Sequence, residues 1–154
     1  GIISHYFGGK QGLIEATVCY LLEQLKLTLL QRVKHPDVSP EERLMMIVET
    51  NFTNIQQSDA ATRTWLSFWA QAMHDKELAK LQKINNLRLL SNLRYSYKQL
   101  MPPEKAVDAA KMTAAMIDGF WLRSALSDVS DTDFKEAEVL CKHFIDTLIS
   151  QYGA

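Results

Sequence analysis

Apolar residues return every three or four positions along most of the chain, the spacing of one face of an α-helix. Ile14, Val18, Leu21, Leu25 and Leu29 form the first stripe, which predicts a long helix from Lys10 to about Lys34, ended by His35-Pro36-Asp37. Apolar residues also lie off that stripe, so this helix is expected to be buried on more than one side. Ser39-Pro40-Glu41-Glu42 is a helix start: a capping serine, a proline suited to the first helical position and a glutamate placed to close a capping box. The helix after it carries Leu44, Ile47, Val48, Asn51, Phe52 and Ile55, with the polar Asn51 inside the apolar stripe. A shorter helix from about Ala60 to Met73 puts Trp65, Phe68, Trp69, Ala72 and Met73 on one face. His74-Asp75 breaks it. A helix from Lys76 to about Leu100 follows, with Leu90, Leu93, Tyr97 and Leu100 on its clearest stripe. Pro102-Pro103 stops that helix and starts one running to about Leu126. A polar link, Ser127 to Asp133, precedes a last stripe of Phe134, Ala137, Cys141, Phe144, Ile145, Leu148 and Tyr152, closed by Gly153. Six helices make an all-α bundle.

Composition supports this and narrows the chemistry. A length of 154 residues suffices for one domain with a real core, and the 6 glycines and 4 prolines sit mostly at the ends of periodic segments. Gly119 is an exception inside the fifth helix, where it costs about 1 kcal/mol relative to alanine; a close packing contact or a nearby ligand would explain it. The net charge of -1 gives no bulk attraction to nucleic acid, so any DNA contact must be local or lie in residues outside this chain. Cys19 and Cys141 both fall within apolar helical patterns and read as reduced core thiols of a cytoplasmic protein. No apolar run approaches the roughly 18 residues needed to span a bilayer.

Enzyme signatures are missing: there is no GxSxG, P-loop, GxGxxG or HExxH, and no Glu-x-x-His pair for a di-iron bundle. His5, His35, His74 and His143 lack partners for catalysis or metal binding, and His143 with Asp146 reads as a surface pair. No metal or cofactor is expected. The aromatic residues are the informative set. Trp65, Phe68 and Trp69 share one helix face, and Asp118 lies one turn before Trp121 on another helix. Asn51, Phe52 and Tyr97 lie on neighbouring stripes. Such stripes form either plain core or a cage. A quaternary ammonium has no N–H to donate and is held by aromatic faces, each contributing about 0.5–2 kcal/mol, with a carboxylate adding Coulomb attraction. Asp118 has an alternative role as a partner of Arg123 or another arginine.

The opening residues resemble the TetR family of transcription repressors. In that family a recognition helix ends in a Tyr-Phe pair before the Lys and Leu that open a long connecting helix; here these are Tyr6, Phe7, Lys10 and Leu13, with Gly1 upstream. Ile117-Asp118-Gly119-Phe120-Trp121-Leu122-Arg123 resembles the penultimate helix of the family's sensor domains. Together with Trp65-Leu66-Ser67-Phe68-Trp69-Ala70 and Arg88-Leu89-Leu90-Ser91-Asn92-Leu93, it is similar to the choline-responsive members that control glycine betaine synthesis. Gly8-Gly9 departs from the polar residues expected at that place.

The resemblance implies a TetR-type C-terminal ligand-binding and dimerisation bundle. Residues 1–9 would be a remnant of the helix-turn-helix head, whose first two helices and the start of the third are missing, and residues 10–154 the sensor. It implies a small cationic effector, choline, held by Trp65, Trp69, Trp121 and Asp118, with Phe68, Asn51, Phe52 and Tyr97 as further candidates and Asn51 placed for the choline hydroxyl. A different cationic or lipophilic effector is the first alternative, and an enzyme built on a helical bundle the second. Ser4, His5, Tyr6 and Lys10 would contact operator DNA in the full-length parent, Tyr6 and Lys10 at phosphates. A homodimer would form through the last two helices, whose alanine-rich face (Ala109 to Ala115) and Phe134 to Tyr152 stripe suit either a twofold interface or packing inside the subunit.

Overall fold

The computed structural model describes residues 9–53 and 58–153. Among them are six helices and no strand: α1 (Lys10–Val33), α2 (Pro40–Asn51), α3 (Asp59–Ala72), α4 (Lys76–Tyr97), α5 (Pro103–Ala125) and α6 (Ser130–Tyr152). Their starts follow local chemistry. Ser39 and Glu42 close a reciprocal capping box, with Glu42 N–H donating to Ser39 Oγ at 3.1 Å and Ser39 N–H to Glu42 Oε2 at 3.2 Å. Ser58 caps α3, accepting from Ala61 N–H at 3.2 Å, and Asp75 caps α4, accepting from Leu78 N–H at 2.8 Å. Gly9 precedes α1 at φ 91 and ψ -167, a conformation essentially reserved for glycine, which accounts for a glycine at that junction.

Three boundaries differ from the sequence pattern: α2 ends at Asn51, with Phe52 as its C-cap and Ile55 outside the described residues, α4 ends at Tyr97 rather than near Leu100, and α6 starts early. α6 begins at Ser130, inside the stretch expected to be a link. Asp131 and Asp133 then occupy its first turn, where carboxylates complement the positive end of the helix dipole.

α5 is the spine of the bundle, packed along α4 on one side and α6 on the other. Ala106, Ala109, Ala110 and Ala114 are buried and let the neighbouring backbones approach. α1 lies against α2 and α3, and α2 spans from α1 to α4 and α6. The core runs through all six helices, from Val18 to Leu44, Val48, Phe68, Leu93, Cys141 and Ile145. Cys141 is buried, but Cys19 is exposed on α1, one position off the inward stripe, so it is not the core thiol expected. α1 is also less enclosed than expected. Ile14, Val18, Leu21 and Leu22 are buried, whereas Tyr20, Leu27 and Leu30 are exposed. Leu25 and Leu29 are half-buried: they pack against the core and also line a cavity.

Away from the cavity, two polar contacts among the described residues tie the helices together. Glu49 on α2 accepts from Arg32 of α1 and from Lys142 of α6, the latter at 2.8 Å. Burial opposes its charge, but the bonds from Lys142 and Arg32 outweigh this and hold the carboxyl below its usual range. The second contact joins α4 to α5: the Tyr97 hydroxyl and Thr113 Oγ1 are 2.6 Å apart, and both residues are fully buried. Burial pushes the Tyr97 phenol up to about 12. Tyr97→Phe leaves the Thr113 hydroxyl without this partner inside the core. It should therefore lower the unfolding free energy by about 1–2 kcal/mol in urea denaturation.

Candidate effector site

The largest aromatic assembly joins four helices. Trp65 and Trp69, one turn apart on α3, have ring centroids 6.2 Å apart at 40°. Trp69 meets Trp121 of α5 edge-on at 5.4 Å and 76°. Trp121 meets Phe134 of α6 at 5.6 Å, and Phe134 meets Phe52, just beyond the end of α2, at 6.3 Å. Edge-to-face pairs of this kind each contribute about 0.5–1.5 kcal/mol beyond area burial.

One side of this assembly opens into a cavity of about 340 Å³. Trp65, Trp69, Trp121, Asp118 and Asn51 all line it, together with Leu22, Leu25, Leu29, Ile47, Thr50, Ile117 and Leu89. The structure therefore brings together five of the eight ligand-site candidates, drawn from α2, α3 and α5. Phe68, Phe52 and Tyr97 do not line the cavity. Phe68 has no exposed surface and packs edge-on to Trp65 at 5.9 Å. Phe52 packs on Phe134, and Tyr97 is the strut to Thr113. Of the residues assigned to DNA contact, Lys10 is the exposed first residue of α1, and Ser4, His5 and Tyr6 lie outside the described residues.

Asn51 donates from Nδ2 to the Ile47 carbonyl at 2.8 Å, which leaves its Oδ1 as the atom available to accept from a ligand. Asp118 pairs with no cation among the described residues, neither Arg123 nor another arginine. It reaches solvent, but sits in a concavity and borders a second cavity shared with Trp69, Gln82 and Gly119. Loss of hydration raises its carboxyl from 3.8 to about 6. Gly119 has nothing within 4 Å of where a Cβ would stand, so no packing contact in this subunit requires a glycine there.

The sequence reading missed the basic and amide part of the lining: Lys26, Arg43, Arg88, Asn85 and Asn92. Arg43 donates to the Asn92 carbonyl at 2.6 Å, to Ser96 Oγ at 2.9 Å and to Asn92 Oδ1 at 2.9 Å, and lies over the Tyr95 ring at 5.0 Å. The signal available was Arg88 and Asn92, four residues apart on one helix and thus on one face. Among the described residues no group of three or more histidines, cysteines or carboxylates is placed to hold a metal, and no helix is long and apolar enough to cross a membrane.

The described residues thus form an α-helical bundle with a lined cavity beside its central helix. A solved transcriptional regulator from Rhodococcus sp. Rha1 shares this fold with a TM-score of 0.70, over 97% of this chain and 76% of that one, at 18% identity. The pattern of the family described as "BetI-type transcriptional repressor, C-terminal" matches residues 40–150, and the chain belongs to that family, a branch of the TetR repressors. It is 44% identical to the HTH-type transcriptional regulator BetI 2 of Chromohalobacter salexigens over 99% of this chain and 74% of the relative. To BetI of Klebsiella pneumoniae it is 47% identical over 94% of this chain and 74% of the relative, and to BetI of Yersinia pestis 50% over 82% and 65%. These relatives are named as regulators, not enzymes.

The Asp118 carboxyl should titrate with a midpoint near 6 in the unliganded chain, two units or so above an ordinary aspartate. Carboxyl-detected NMR of the chain, with Asp118→Asn to assign the signal, checks this; a midpoint near 4 would contradict the desolvated setting.

Proposed function

We propose that this chain is the choline-sensing and dimerising part of a repressor controlling the genes that convert choline to glycine betaine. The observation that carries the reading is the meeting of Trp65, Trp69, Trp121 and Asp118 at one cavity. Indole faces attract a methylated ammonium through the ring quadrupole, and an unpaired carboxylate supplies the counter-charge without demanding an N–H donor. Asn51 Oδ1 is positioned as an acceptor for the choline hydroxyl. In this reading residues 10–154 form the sensor, and Ser4, His5, Tyr6 and Lys10 belong to the operator-contacting end of a cytoplasmic protein. Choline favours the conformer whose two heads no longer match half-sites about 34–36 Å apart. It does so only by its difference in affinity between the two conformers.

A cation beside Asp118 stabilises the carboxylate, so binding competes with the proton. Choline affinity is weak below pH 6, rises through about 6 and levels off above it. Isothermal titration of the chain checks both parts. Trp69→Ala, chosen because Trp69 is only half-buried, should weaken choline by about tenfold, and Asp118→Asn should weaken it and flatten the pH profile. No heat from millimolar choline would reject the reading.

A second reading keeps the fold and changes the effector to another cationic or lipophilic molecule. It is favoured by cavity size: a water occupies about 30 Å³ of liquid, so 340 Å³ exceeds what choline fills. Competition among choline, betaine aldehyde, glycine betaine and unrelated quaternary amines separates the two.

The proposed homodimer uses the outer faces of α5 and α6. Met112, Leu122 and Leu126 on or beside α5, with Val139 and Leu140 on α6, are 37–68% exposed, and Gly119 lies open among the first three. A flat stripe with a glycine at its middle lets the equivalent helix of a second copy approach closely. Leu140→Glu should convert a dimer to a monomer in analytical ultracentrifugation while leaving the helical circular dichroism spectrum in place.

A further inference from the structure

We propose that the second cavity bordered by Trp69 and Asp118 is a further cation site, and that it takes a small alkylammonium that still carries N–H groups. Because Asp118 lines both cavities, an amine bound here antagonises the quaternary cation in the first. The antagonism rests on the choline reading of the first cavity; the site itself does not.

This cavity measures about 470 Å³ and lies where the end of α3 meets α4 and α5. Its space comes from small residues. Ala72, Ala79 and Gly119 come from three different helices, and nothing lies within 4 Å of where a Cβ on Gly119 would stand. Asp118 is the one charged residue in the lining, and it has no ion-pair partner among the described residues. The charge of the site is thus negative and uncompensated, which selects a cation. Met73 and Leu122, 79% and 38% exposed, border it with apolar surface that an alkyl chain would cover.

Gln82 decides what kind of cation. Its Oε1 is buried and has no hydrogen-bond partner among the described residues. A buried acceptor left unmet carries its full desolvation cost, so a donor that reaches it is favoured beyond an ordinary surface contact. Gln82 stands in the cavity wall. A turn of its amide toward the space brings Oε1 within reach of a ligand N–H and relieves that cost. A quaternary ammonium has no N–H to give. It also finds one indole here, that of Trp69, where the first cavity offers three. The two cavities therefore divide the cations by chemistry: methylated ammonium to the tryptophan cluster, N–H-bearing ammonium to Gln82 and Asp118.

Sharing one carboxylate couples them. A cation in either cavity neutralises the charge that attracts the other, and by linkage the effect is reciprocal. Since the two ligands occupy different volumes, the antagonism is finite. It reaches a plateau once the amine site is full, whereas direct competition grows without limit.

Isothermal titration of the chain at neutral pH with n-butylammonium, tetramethylammonium and choline tests this. Butylammonium should bind, and once it is saturating choline should bind about tenfold more weakly, with no further loss at higher amine. Gln82→Leu, which nearly keeps the volume and removes the acceptor, should weaken butylammonium about tenfold, leave choline and tetramethylammonium unchanged, and raise the thermal midpoint of the unliganded chain. Ala79→Leu, at an exposed position on the wall, should abolish butylammonium binding by filling the space. Neither residue lines the first cavity. Gly119 and Leu122 also belong to the proposed dimer face, so the titration is repeated on Leu140→Glu. Binding by that monomer but not by the dimer means that the second copy fills the cavity, and overturns the site. Absence of butylammonium heat, indifference to both variants, or a choline loss that never levels off does the same, and each leaves the choline reading standing. Silence from choline with butylammonium still bound sinks that reading and the antagonism, while the Gln82 and Ala79 variants still test the site.

Discussion

The edge-to-face contact of Trp121 with Trp69 on one side and Phe134 on the other is the interaction on which the rest of the structure depends. It links α3, α5 and α6, and through Phe52 it reaches α2. The same rings that hold the helices together form one wall of the cavity. The faces of Trp65, Trp69 and Trp121 not spent on packing against a neighbouring ring are those that line the cavity. A perpendicular arrangement leaves such faces available, where parallel stacking would have covered them.

α1 is bound to the sensor in two different ways. Its N-terminal half is anchored by Ile14, Val18, Leu21 and Leu22 in the core. Its C-terminal half carries Leu25 and Leu29 along the cavity wall and is held by Arg32 on Glu49, which also bonds Lys142 of α6.

Electrostatics gives the site its direction. Asp118 lacks an ion-pair partner and carries a carboxyl raised to about 6, so the folded chain holds a negative charge there at a cost. Glu49, less exposed to solvent and paired twice, is held below its usual range. Two carboxylates in one bundle thus differ because one has its counter-charges built in and the other does not. An uncompensated group at a cavity is the one whose free energy a ligand can change.

Helix number, the capping box at Ser39 and Glu42, the membership of Trp65, Trp69, Trp121, Asp118 and Asn51 in a possible ligand set, and the family itself were legible in the sequence. Periodicity and capping are local, and a helix face is determined by residues three and four apart. The start of α6 was not, because polar residues such as Asp131 and Asp133 serve equally in a link or in a first helical turn. Nor was the division of the aromatic set. Phe52, Phe68 and Tyr97 share the spacing of the tryptophans, yet the structure turns them into core against Phe134, Trp65 and Thr113. Arg43, Arg88 and Asn92 read as ordinary polar positions on helix faces until α2 and α4 bring them to the same cavity. The sequence by itself determined which residues could face inward together. Only the packing of separate helices decided which of those faces meet a neighbour and which meet an open space, since that depends on contacts between segments dozens of residues apart, to which no local spacing responds.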